Sequence, residues 1–132
     1  MKQILSFLVV LLVGLMAPPS LAAVPRDQDN QFLARYEMVR ARLADDDLEG
    51  ARDAASKITD RAAASMISRA DSLNTARMGF KKLSTDAIAV GSKQPGFVVF
   101  RCPMVEADWL QRTSQVSNPY LGRKMPTCGQ PK

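Results

Sequence analysis

With 132 residues and a net charge of +5, the chain has room for one small domain and not for two. It contains no histidine, which removes the commonest general acid–base residue and the usual zinc and Cu(II) ligand. No C-x-x-C redox pair and no Ser–His–Asp set is present, so the composition points away from an enzyme.

The first residues read as a targeting segment. Lys2 supplies a positive charge, and Ile4 to Met16 form an apolar run broken only by Ser6 and Gly14. Pro18-Pro19 ends that run, and Ser20-Leu21-Ala22 places small residues at the −3 and −1 positions of a cleavage site. This is the pattern of a secretory signal peptide, expected over residues 1–22 with cleavage after Ala22 or Ala23. The run is short of the roughly 20 residues a membrane span needs, so no stable membrane anchor is expected after cleavage. The expected location is the bacterial periplasm, where a cysteine pair oxidises unless protected. An exported protein rarely meets nucleic acid, so the mild basicity points to solubility or to anionic surfaces instead.

Residues 24–29 are polar and contain Pro25, and residues 23–29 are expected to be a flexible lead into a single domain over residues 30–132. From Asn30 the apolar period becomes helical: Phe32, Tyr36, Val39 and Leu43 recur at steps of four, three and four. A second helix is expected to start at Asp46, with Glu49 three residues on at a capping-box spacing. Asp45-Asp46-Asp47 is thereby read as a helix cap, because adjacent carboxylates lack the spaced ligands and glycine of a calcium loop. The apolar stripe that follows is Leu48, Ala51, Ala55, Ile58 and Ala62.

A third helical stretch carries Met66, Ile67, Ala70 and Leu73, and the number of helices between residues 57 and 91 is left open. Asn74 or Thr75 is the expected cap of a further helix bearing Ala76, Phe80, Leu83, Ala87 and Val90, stopped at Gly91. Pro95-Gly96 marks a turn. The fold class is therefore mainly α: an antiparallel bundle of three to four helices with an irregular C-terminal segment, residues 97–132, packed on it. Phe97-Val98-Val99-Phe100 is a β-prone run too short to tell a buried strand from an extended segment. Pro103, Pro119, Pro126 and Pro131 exclude long helix beyond it, apart from a turn or two around Ala107 to Arg112.

Cys102 and Cys128, the only cysteines, stand 26 positions apart, with Met104 two residues after the first and Met125 three before the second. Two readings follow. A disulfide would tie the irregular tail back to the segment that leads into it. Alternatively, Cys102 and Cys128 with Met104 or Met125 would form a soft-donor set suited to Cu(I) or Ag(I). A sulfur separation of about 2 Å marks the bond, and roughly 3.5 to 4.5 Å with a methionine sulfur alongside marks a metal pocket. Trp109 and Tyr120 are expected to be packing anchors, and Asn118-Pro119-Tyr120 with Gly122 reads as turn chemistry.

The pattern Cys102-Pro103-Met104, Ala107-x-Trp109-Leu110, Asn118-Pro119-Tyr120-x-Gly122 and Met125-x-x-Cys128-Gly129 resembles a small exported domain of unknown function. That domain occurs alone and at the ends of periplasmic adaptor subunits of heavy-metal (copper and silver) efflux pumps. Ala44-Asp45-Asp46-Asp47 and Arg77-x-x-Phe80-x-x-Leu83-Ser84 match its helical part, while Arg101 stands where an aromatic often precedes the first cysteine. The resemblance implies a non-catalytic envelope protein connected with copper or silver efflux. An efflux adaptor or a copper-handling protein is the implied partner. It leaves open whether the cysteines hold metal or close a disulfide in an interaction module.

Overall fold

The computed structural model describes residues 24–132, so the expected signal peptide lies outside the described residues. Four helices are packed together and followed by a small antiparallel sheet. The helices are α1 (Val24–Ala44), α2 (Leu48–Ser56), α3 (Ala62–Ser68) and α4 (Leu73–Gly91). Each packs on the next, and α4 returns to α1.

Helix α1 is longer than its apolar period. Residues 24–29, expected as a flexible lead, are its first turns. Pro25 falls in the first turn, where a missing N–H breaks no helical bond, and Asp27 lies near the positive end of the helix dipole. Its inward stripe is the expected one, Phe32, Tyr36, Val39 and Leu43, with Leu33 beside it. The cap of α2 is Asp47 rather than Asp46: the Asp47 side chain accepts from the Gly50 N–H at 2.8 Å. Asp46 itself sits at φ +58°, where it reverses the chain between α1 and α2 and cannot serve as an extended cap.

The bundle is tight because its inner faces are small. Ala51, Ala54, Ala55, Ala63, Ala64, Ala76 and Ala87 are all buried. Two expected core positions, Ala62 and Met66, are exposed instead, since a break at residues 57–61 rotates α3 so that Ala63, Ala64 and Ile67 point inward. The cap of α4 is Ser72, not Asn74 or Thr75; its hydroxyl accepts from the Thr75 N–H at 3.1 Å. The helix ends at Gly91, as expected, at a point where Leu33 and Leu110 leave no room for a side chain.

The C-terminal segment is more regular than its prolines suggest. Strands β1 (Val98–Cys102), β2 (Ala107–Gln111) and β3 (Gln130–Pro131) form an antiparallel sheet in the order β2-β1-β3. The stretch around Ala107 to Arg112, where a turn or two of helix was left open, is instead strand β2, with Phe100 opposite Trp109 and Cys102 opposite Ala107. Pairing with β1 supplies hydrogen bonds that five residues of weak β preference could not secure alone. Strand β2 lies on α4. Tyr36 joins the two layers: its hydroxyl accepts from the Leu110 N–H at 3.0 Å and shares a hydrogen bond with Ser84 at 2.7 Å. A run of ring contacts, Tyr36–Phe80–Tyr120–Trp109–Phe100, passes through the same core.

Candidate functional site

The site grows from the end of β1. Cys102 is its last residue and is fully buried, and the chain then turns back through residues 103–106 with Glu106 at φ +48°. Cys128 arrives from the far end of the loop region and is only partly buried. Its sulfur lies 2.7 Å from that of Cys102. This is far inside the spacing of a metal-bridged pair and close to the roughly 2.0 Å of a disulfide.

Asn118 makes that meeting possible. It is fully buried, and every polar atom it has is used. Its Oδ1 accepts from the N–H groups of Tyr120 (2.8 Å) and Leu121 (3.0 Å), closing an Asx turn over Pro119. Its Nδ2 donates to the Cys128 carbonyl at 2.6 Å, and its backbone N–H donates to the Pro126 carbonyl at 2.9 Å. One side chain therefore fixes both the Asn-Pro-Tyr turn and the segment that delivers Cys128. Gly129 follows against the ring of Trp109, where a side chain would collide.

A second brace holds this loop region to the helices. Arg77 of α4 donates to the Pro119 carbonyl (2.8 Å) and the Leu43 carbonyl (2.8 Å), and pairs with Asp46 at 2.6 Å. Asp46 also accepts from the Arg123 N–H at 3.2 Å. The hydrogen bond from Arg77, helped by the Arg123 N–H, holds the Asp46 carboxyl below its usual range against the opposing effect of burial. The turn between α1 and α2, helix α4 and the Asn-Pro-Tyr-Leu-Gly loop meet at this pair. A third polar knot fixes the intervening loop: buried Gln111 accepts from Trp109 Nε1 at 3.0 Å and donates to the carbonyls of Thr113 and Gln115.

The two thiols are not equivalent. Burial pushes the Cys102 thiol up, but the hydrogen bond with Cys128 and the N–H groups of Val105, Met104 and Asn118 outweigh it, so the group ends below its ordinary range. The Cys128 thiol is pushed up, first by its hydrogen bond with Cys102 and then by burial.

The structure thus brings Cys102 and Cys128 together and places Trp109 and Tyr120 in the core as anchors. Met104 and Met125 remain at the surface, 63% and 36% exposed. Among the described residues, no group of three or more His, Cys, Asp or Glu side chains is placed to hold a metal ion. Asn118 and Arg77 are the residues whose roles sequence reasoning missed. Asn118 was legible only as turn chemistry, and Arg77 only as part of the family-like pattern.

The exposed large apolar side chains of the described residues are all methionines: Met38, Met66, Met78, Met104 and Met125. Met78 lines a cleft of about 270 Å³ with Val105, Tyr120 and Lys81, between α4 and the β1–β2 turn. No helix of the described residues is long and apolar enough to cross a membrane. No family model matches this chain, and no curated protein or solved structure matches it either.

Proposed function

We propose that this chain is a non-catalytic domain of the bacterial envelope, closed by a Cys102–Cys128 disulfide, that serves as an interaction module of a heavy-metal efflux adaptor system. The observation that carries the clasp is the 2.7 Å sulfur separation, with the Cys128 segment held by the Asn118 side chain. The periplasmic setting and the efflux partner rest on the signal-peptide pattern and on the family-like C-terminal motif. The binding role is supported by the surface. Methionine is flexible and polarizable, and it suits adaptable apolar contacts. Met78 and the cleft beside it offer such a contact next to the cationic Lys81.

Three measurements test this. The purified mature protein should be two hydrogens lighter by intact mass than its reduced form. Copper or silver should leave its melting temperature unchanged, and an immobilised form should retain an efflux adaptor from envelope extracts. A full-mass protein carrying two free thiols would overturn the clasp.

A second reading is supported by the soft donors that flank the pair. In reduced protein, Cys102 and Cys128 with Met104 or Met125 are the residues that would take Cu(I) or Ag(I) as cargo. The sulfurs would have to separate from 2.7 Å to admit the ion. Competition against a chromogenic Cu(I) chelator decides it. Binding no tighter than micromolar, or unchanged after both cysteines become serine, ends this reading.

A further inference from the structure

Helix α4 carries two stripes. One faces the core through Ala76, Phe80, Leu83 and Ala87. The other is Asn74, Met78, Lys81, Thr85 and Ile88, which recur at steps of four, three, four and three. That is the 3.5-residue period with which one helix lies along another. None of these five residues is buried, and Met78 is 62% exposed. At 1.5 Å per residue the stripe runs for about 21 Å, most of the length of the helix.

The stripe forms one wall of a groove. The cleft of about 270 Å³ beside Met78 adjoins a second, of about 300 Å³, which reaches Thr85 and Ile88. Lys81 and Ala107 line both, and the β1–β2 turn with the start of β2 supplies the opposite wall. Apolar surface stands at both ends, Met78 with Val105 and Tyr120 at one and Ile88 at the other, with Lys81 between them. In the Met78 half the charged groups are Arg77 and Lys81, both cationic. Arg77 is committed to Asp46, whereas Lys81 makes no salt bridge among the described residues. In the Ile88 half, Asp108 is taken by Arg101 and Lys132, and Glu106 forms no salt bridge with Lys81.

We propose that this groove is a docking seam for a helix of another protein, one that places an acidic residue between two large apolar residues. This rests on the interaction-module reading above and adds to it the surface used and the chemistry of what it binds. The apolar side chains of the partner meet Met78 and Ile88, and its carboxylate meets Lys81. Asn74 and Lys81 are polar members of the seam, and polar groups at such positions fix register and partner at some cost in strength. The same charge argues against a second copy of this chain as the occupant. Lys81 is the midpoint of the stripe, so two copies laid along each other in register, parallel or antiparallel, would oppose Lys81 to Lys81. Like charges so placed repel, and they select against self-pairing.

Two synthetic helical peptides are the probes. Each has three heptads, capped ends, a fluorescein label and leucine at the seam positions, except for a central glutamate in one and a central lysine in the other. Fluorescence polarisation with the mature protein should show the glutamate peptide binding about tenfold or more tighter than the lysine peptide. Lys81→Glu should reverse that preference, and Met78→Asp should weaken both peptides by about tenfold or more. Both substitutions fall at exposed positions, so each variant should keep the helical circular dichroism of the wild type. No binding of either peptide, equal binding of the two, or a preference that Lys81→Glu leaves in place would each overturn the seam. Sedimentation that found a dimer dispersed by Met78→Asp would overturn it in favour of self-pairing. An efflux adaptor retained equally by the wild type and Met78→Asp would also overturn the seam, while leaving the interaction module intact. Peptide binding as described, with no adaptor retained, would support the seam and sink the adaptor reading instead.

Discussion

The Asp46 carboxylate and the Arg77 guanidinium meet at 2.6 Å across 31 positions of sequence, and the C-terminal loop is hung on that pair. Arg77 is 17% exposed and also serves the carbonyls of Leu43 and Pro119, so its removal leaves two acceptors in a poorly hydrated place. Arg77→Ala should destabilise the protein by about 3 kcal/mol, since hydrogen bonds from a charged donor contribute roughly 1.5 to 3 kcal/mol each and do not add fully. Arg77→Lys should recover little of this, because an ammonium cannot span three acceptors arranged for a planar fork. Urea unfolding of the two variants measures both effects.

The same pair sets an acid limit. Asp46 is held below the ordinary carboxylate range chiefly by Arg77. At Asp108 burial acts upward, but the hydrogen bonds from Lys132 and Arg101 more than offset it. The unfolded chain therefore takes up these protons at higher pH than the native one. Their stabilisation is complete above about pH 5 and drains away as the pH falls through the depressed native values. Asp46→Asn should lie below the wild type in stability near neutrality and approach it as the pH drops toward about 3. Equal gaps at both pH values would contradict the assignment.

Asn118 has no redundant partner. With its side chain gone, the N–H groups of Tyr120 and Leu121 and the carbonyl of Cys128 lose their hydrogen bonds. Asn118→Ala should destabilise by about 3 kcal/mol, at roughly 1 to 3 kcal/mol for each buried polar group left unsatisfied. Hydrogen exchange should show the loss concentrated at Tyr120, Leu121 and Cys128, with α1 to α3 protected as before. A uniform loss across the bundle would argue against a local role.

The helices were legible because a 3.6-residue period survives in Phe32, Tyr36, Val39 and Leu43, and in Ala76, Phe80, Leu83 and Ala87, all of them buried. Their starts were less so. Any of three consecutive aspartates can cap a helix, and only the left-handed turn at Asp46 passes that role to Asp47. Strand β2 left no periodic trace: in Ala107-Asp108-Trp109-Leu110-Gln111, four of the five positions are buried. Helix α4 covers one side, and Gly129 with Val116 packs on the Trp109 ring. Alternation disappears when both faces are covered. The pairing of Cys102 with Cys128 followed from there being no other partner. The exposure of Met104 did not, since sequence spacing says nothing about which way a side chain points from a turn.

Gly122 stands where the Asp46–Arg77 pair closes on the loop. Its φ is +56°, and a Cβ there would run into the Asp46 carboxylate and the Arg77 guanidinium. Gly122→Ala thus combines backbone strain of about 1 kcal/mol with displacement of the ion pair, for a loss of at least about 3 kcal/mol. In Gly122→Ala/Arg77→Ala, part of the second loss is already spent. The double variant should fall short of the sum of the singles by about 1 kcal/mol or more. Full additivity by chemical denaturation would mean that the loop and the pair are not in contact.

Reduction of the clasp is the last test of the stability account. A cross-link between Cys102 and Cys128 closes a loop of 26 positions, and the chain-entropy relation gives about 3.5 kcal/mol for a loop of that length. A domain of this size has only about 5 to 15 kcal/mol in total, so the reduced protein should still fold, with a melting temperature lower by about 10 °C or more. Cys102→Ser/Cys128→Ser should match the reduced wild type more closely than the oxidised one. Serine is nearly isosteric with cysteine, so the double variant should lose chiefly the cross-link. A thermal scan of oxidised, reduced and double-serine forms separates these contributions. If the three melted together, the tail would be held by Asn118 and Arg77 alone, and the sulfur pair would be free to serve chemistry rather than stability.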